Sequence, residues 1–80
     1  MRTVDVHFPL MSSEQPDTEG IVATWFVRDG QAVAEGQLIA EVQVEKVAQD
    51  VTAPVAGVVH VLVAEEQPVQ QGDPIATIEA

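Results

Sequence analysis

Glu41-Val42-Gln43-Val44-Glu45-Lys46-Val47-Ala48-Gln49-Asp50-Val51 is the stretch that decides how this chain folds. Apolar and polar residues alternate on both sides of Glu45-Lys46, the period of a strand with one covered face. Almost no spacer separates the two runs, so they read as a hairpin closed by a two-residue turn. Leu38, Ala40, Val42 and Val44 fall on one face of the first run. Val47, Gln49, Val51 and Ala53 share a face of the second, opposite Ala48, Asp50 and Thr52. Lys46 then stands at the tip, extended into solvent.

The segments on either side of this hairpin are copies of one another. Gly20-Ile21-Val22-Ala23-Thr24-Trp25-Phe26 lies over Gly57-Val58-Val59-His60-Val61-Leu62-Val63. With Gly30 skipped, Gln31 to Gly36 falls on Gln67 to Gly72, and Leu38 to Val42 on Pro74 to Ile78. Each half reads as strand, turn, short strand, turn, strand. Neither half can bury a face alone; packed together with approximate two-fold symmetry, they can. Beyond the repeat, Val4, Val6 and Phe8 alternate with Asp5 and His7 in a strand that Pro9 stops. Leu10 to Thr18 is a polar loop. The strands expected are Val4–Phe8, Glu19–Val27, a short one at Val33, Gln37–Val44, Val47–Ala53, Gly57–Val63, a second short one at Val69, and Pro74–Glu79.

Composition agrees. Valine and isoleucine total 19 against three leucines, and threonine adds five β-branched side chains. Stiff branched side chains suit a pleated sheet, and short strands with frequent turns point to a sandwich or barrel. An all-β domain spanning residues 1–80, with no linker, is the expected organisation. Three basic residues against 13 acidic ones leave a formal charge of −10, which excludes nucleic acid and disfavours an anionic membrane surface. No cysteine means no disulfide framework and no thiolate nucleophile. No apolar run approaches a membrane span. The opening Met1-Arg2-Thr3-Val4-Asp5 lacks the apolar stretch of a signal peptide, so a cytoplasmic location is expected. His7 and His60 have no partner spacing, and no catalytic or metal-binding set emerges.

Lys46 is the only lysine in the chain. A soluble domain normally scatters several over its surface; this one keeps a single amine at its most protruding point. An amine at a rigid, exposed tip suits acylation by a modifying enzyme, after which the attached group swings free. Such an arm touches little, so its attachment is expected to leave stability nearly unchanged. Glu41, Glu45 and Asp50 cluster in sequence around the turn, either as a solvated surface or as marks for a basic partner.

With these features in place, the chain resembles a lipoyl domain of the biotinyl/lipoyl attachment family over nearly its whole length. The residues that carry the likeness are Phe8-Pro9-Leu10, Glu19-Gly20, Val33-Ala34-Glu35-Gly36-Gln37, the Glu41–Val47 stretch, Ala53-Pro54-Val55-Ala56-Gly57-Val58-Val59, and Val69-Gln70-Gln71-Gly72. The family usually has Asp-Lys-Ala at the attachment turn, where this chain has Glu45-Lys46-Val47. The biotinyl branch favours methionine on both sides of its lysine, so Glu45 and Val47 favour lipoyl.

The resemblance implies a flattened barrel of two four-stranded antiparallel sheets with the attachment turn at an end of one sheet. It implies lipoic acid amide-linked to Lys46, with Glu41, Glu45, Val47 and Asp50 around the attachment turn read by partner enzymes. The loop Leu10 to Thr18 corresponds to the family's surface loop beside that turn. The implied partners are a lipoate ligase or lipoyl transferase, a thiamin-diphosphate-dependent E1, the E2 acyltransferase core and the flavin-dependent dihydrolipoamide dehydrogenase E3 of a 2-oxo acid dehydrogenase complex. The domain itself is then a non-catalytic carrier, monomeric in isolation. Two alternatives stand beside this reading: a biotin carrier of a carboxylase, and an acidic β interaction module whose lysine stays unmodified.

Overall fold

A computed structural model describes residues 2–80; Met1, at the head of the opening segment, lies outside them. Seven strands form: β1 (Thr3–His7), β2 (Ile21–Trp25), β3 (Ala32–Val33), β4 (Leu38–Val44), β5 (Val47–Thr52), β6 (Gly57–Val61) and β7 (Pro74–Glu79). One sheet has the order β1-β7-β6-β3 and the other β2-β4-β5, with every pairing antiparallel. The alternation in the sequence becomes alternation of burial. Val22, Ile39 and Val42 from one sheet and Val59, Ile75 and Ile78 from the other are fully covered in one shared core. Each such side chain contributes roughly 1.5–3 kcal/mol by leaving water, and the molecule measures 36 × 20 × 18 Å.

The expectation of two four-stranded sheets needs a correction, because the second sheet has three. Its fourth strand shrinks to a single bridge between Gly20 and Val69. The same position in the other half is the β3·β6 ladder, where Ala32 pairs with Val58 and Val33 with Gly57. Past that bridge the contact is reduced to the Glu66 N–H donating to the Val22 carbonyl at 2.9 Å, and Pro68 stands where the first half has Ala32.

The two-fold repeat is real, but its extra residue is Ala23 and not Gly30. Val22 pairs with Val42 and Thr24 with Glu41, so Ala23 is a bulge in β2. In the other half Val59 pairs with Ile78 and His60 with Thr77, without interruption. Past the bulge, the halves match residue for residue. The Phe26 N–H donates to the Ile39 carbonyl at 2.9 Å, and the Leu62 N–H to that of Ile75 at 3.0 Å. The Trp25 N–H donates to Glu65 Oε2 at 2.8 Å, and the Val61 N–H to Asp29 Oδ1 at 2.9 Å. Gly30 therefore corresponds to Glu66, and both turn the chain with positive φ, 88° and 66°. A bulge adds a residue without a turn signal, whereas glycine is the conspicuous place to put a gap.

Trp25 is half-buried against the core, its indole Nε1 donating to the Val63 carbonyl at 3.0 Å. Val27 is buried, as its apolar character requires, but lies just past the end of β2.

Candidate functional site

The β4–β5 hairpin builds the site. Six paired positions run from Leu38↔Thr52 to Val44↔Val47, leaving Glu45 and Lys46 as the two residues of the turn. Glu45 takes φ 54°, in the left-handed region that glycine, asparagine and aspartate enter more readily than glutamate. Lys46 is exposed, and no ion pair among the described residues holds its ammonium group.

The core covers the central strand up to the turn but not the edge strand: Val44 is buried, but its partner Val47 is 59% exposed. Of the four residues assigned to one face of the second run, only Val51 and Ala53 are covered; Val47 and Gln49 stand in solvent. The amphipathic alternation continues to the tip, but the outer end of the edge strand β5 is left uncovered.

The acidic residues do not gather at Lys46. Glu41 and Asp50 face each other across the hairpin, three pairs back from Val44↔Val47. That is about 10 Å along the strand, at a rise of about 3.4 Å per residue. Val42 and Val51 point into the core, so Glu41 and Asp50 point away from it. Only Glu45 among the acids sits in the turn. The ion contacts found among the described residues both involve His60, to Asp29 at 3.8 Å and Glu79 at 3.6 Å on an exposed face. His7 lies elsewhere, its Nδ1 2.9 Å from the Gly72 carbonyl oxygen.

Beside the turn lies an open concavity of about 170 Å³. Met11, Ser12, Gln15 and Thr18 of the long loop form one wall. Val44, Glu45 and Val47 of the hairpin form the other. The loop is held by Gln71, a buried polar side chain that sequence reasoning passed over as a turn residue. Its Oε1 accepts from the Met11 and Ser12 N–H groups at 2.8 and 2.9 Å. Its Nε2 donates to the Thr18 and Gln15 carbonyls at 2.7 and 3.2 Å. One amide thus ties both ends of the loop. No local signal marks it: the equivalent residue in the first half, Glu35, is an exposed turn residue.

Gly20 closes the packing underneath. A Cβ there would stand 2.6 Å from the Gln43 carbonyl oxygen and 2.9 Å from Val44 Cγ2. The glycine lets the bridge segment press against the hairpin just below its turn.

The turn thus presents an exposed primary amine beside a loop that Gln71 holds in place. In comparison with known proteins, residues 5–78 match the Biotin_lipoyl family, described as biotin-requiring enzyme. The chain belongs to the biotinyl/lipoyl attachment family. Among curated relatives of this family member is the dihydrolipoyllysine-residue acetyltransferase component of the pyruvate dehydrogenase complex of Staphylococcus aureus (strain N315). It is 38% identical over 63 residues, 78% of this chain and 15% of that protein. The corresponding protein of Staphylococcus epidermidis is also 38% identical over 63 residues, 78% of this chain and 14% of its own length. The dihydrolipoyllysine-residue succinyltransferase component of the 2-oxoglutarate dehydrogenase complex of Cupriavidus necator is 35% identical over 63 residues, 79% of this chain and 15% of that protein. The chain thus spans about one seventh of the length of these relatives. No helix of the described residues is long and apolar enough to cross a membrane.

Proposed function

We propose that this biotinyl/lipoyl domain is a non-catalytic carrier, with lipoic acid amide-linked to Lys46. The observation that carries the reading is the position of the chain's only lysine, exposed in the two-residue turn that joins β4 to the edge strand β5. The relatives, dihydrolipoyllysine-residue acyltransferase components of the pyruvate and 2-oxoglutarate dehydrogenase complexes, favour lipoate over biotin. When bound, lipoate supplies a dithiolane that accepts acyl groups and reducing equivalents. The domain's own part is mechanical. The β4–β5 ladder holds the amine at a fixed height, and the turn presents it to a modifying ligase or lipoyl transferase. Covalent tethering then raises the local concentration of the carried group at each site it visits. The sites fitting this role are a thiamin-diphosphate-dependent E1, an E2 acyltransferase core and the dihydrolipoamide dehydrogenase E3, in a cytoplasmic setting. Glu45 and Val47 beside the lysine, with Glu41 and Asp50 behind it, are the surface such partners read; a basic partner surface would speed encounter.

The test is co-expression with a lipoate ligase and lipoate, followed by intact mass and peptide mapping. The lipoyl adduct is expected on Lys46, and Lys46→Arg should keep the fold and lose it, because arginine is not an acyl acceptor here. An adduct detected by streptavidin blotting would assign the domain to the biotinyl branch. No adduct where a control domain is modified would leave an unmodified interaction module.

A further inference from the structure

We propose that the concavity between the 10–18 loop and the hairpin is a resting site for the distal, apolar end of an acyl arm carried on Lys46. This rests on Lys46 as the attachment point. Two of the residues lining the hollow, Glu45 and Val47, are the chain neighbours of Lys46. The arm therefore begins at the rim, and its return to the hollow is intramolecular, at high effective concentration. The floor and walls include Met11, Val44 and Val47, an apolar set with one adaptable thioether. Val47 is 59% exposed, although it continues the core-facing side of β5. It is an uncovered apolar surface aimed at the same space.

At about 170 Å³ the hollow is smaller than the roughly 300–1,000 Å³ pockets that enclose a drug-sized ligand, so it takes one end of an arm and not its whole length. The hollow is preformed, because Gln71 binds the loop at both ends. An arm that rests there is in part shielded, and the carrier exchanges between a docked and an extended state.

Lys46 is the only lysine, so in chemical acylation only the α-amine competes with it. An octanoyl N-hydroxysuccinimide ester forms an amide at either amine and releases N-hydroxysuccinimide, and the product modified at Lys46 Nζ alone is separated by ion exchange and verified by peptide mapping. The test compares free, octanoylated and ligase-lipoylated domain with ¹³C-methyl-labelled Met and Val. The Met11, Val44 and Val47 methyls are expected to shift on modification and to show nuclear Overhauser contacts to the arm, while Val59 and Val33 stay put. In Val47→Glu, with the same adduct, the Met11 shift should vanish. Reduction of the dithiolane by a phosphine should be about threefold slower in the wild-type domain than in Val47→Glu, the ratio for an arm docked two thirds of the time. Unmoved Met11 and Val44 methyls in a verified Lys46 adduct overturn the resting site and leave the carrier reading intact. Failure of the ligase to modify Lys46, with the methyl shifts present in the octanoyl adduct, overturns the carrier reading alone.

Discussion

Gly20 and Phe8 approach so closely that no side chain fits between them: a Cβ on Gly20 would stand 2.4 Å from Phe8 Cζ. Phe8 is fully buried and the Gln43 carbonyl blocks the other side at 2.6 Å, so neither neighbour can retreat cheaply. Gly20→Ala should cost about 1–3 kcal/mol, the usual range for overpacking. A Cβ on its two-fold counterpart Gly57 would run into the Glu79 carbonyl oxygen, so Gly57→Ala should cost a similar amount. Urea unfolding checks both, through the midpoint at unchanged slope. A midpoint equal to wild type for either would mean that the strands can spread where the packing says they cannot.

Removing the Gln71 amide should loosen the loop more than the barrel. Gln71→Ala leaves two N–H groups and two carbonyls of the 10–18 loop without their partner. Water reaches part of this site, so a loss of about 1–3 kcal/mol is expected. Hydrogen exchange should accelerate most at the Met11 and Ser12 amides, beyond the change at Val59 and Val61. Uniform acceleration across the sheets would show that Gln71 serves overall stability and not the loop.

Glu45 should tolerate replacement better than its place beside Lys46 implies. Its φ of 54° disfavours a long side chain and suits asparagine. Glu45→Asn should stabilise the domain by about 0.5–1 kcal/mol, and Glu45→Val should destabilise it by about 1 kcal/mol or more, since β-branched residues fit that region worst. Thermal or urea melts decide; a Glu45→Val domain as stable as Glu45→Asn contradicts the strained turn.

Exchanging the two turn residues tests whether attachment depends on geometry. Glu45→Lys with Lys46→Glu keeps composition and net charge, yet moves the amine onto the residue with positive φ. Side chains diverge across such a turn, so the initial rate of lipoylation should fall sharply. Glu45→Asp should be modified at least as fast as wild type. Equal rates for the swap would mean that the ligase reads any accessible lysine.

The facing carboxylates Glu41 and Asp50 should be a measurable electrostatic cost. Like charges directly opposite on a hairpin destabilise by about 0.2–1 kcal/mol. Asp50→Lys should therefore raise stability at low salt, and the gain should shrink toward 1 M salt, where screening acts over about 3 Å. A gain independent of salt would point to strand propensity instead. Partner recognition should weaken in the same variant, if the acidic surface is what a basic partner reads.

What the sequence determined by itself is local. The hairpin, its two-residue turn and the exposure of Lys46 follow from alternation over neighbouring residues, because a short turn sets the register of the strands it joins. The repeat and the all-β character follow from glycines and β-branched residues that each half carries. Tertiary structure decided what depends on distant partners. Gln71 becomes a buried clamp only because the fold brings it to a loop more than 50 residues away. Ala23 is the extra residue only because Val22 and Thr24 must pair with adjacent residues of β4. Val47 is exposed although its pattern matches buried Val51, because it lies at the outer end of the edge strand β5, while its partner Val44 on central β4 is covered. Alternation tells which side of a strand faces inward; only the packed sheets decide where the inside ends.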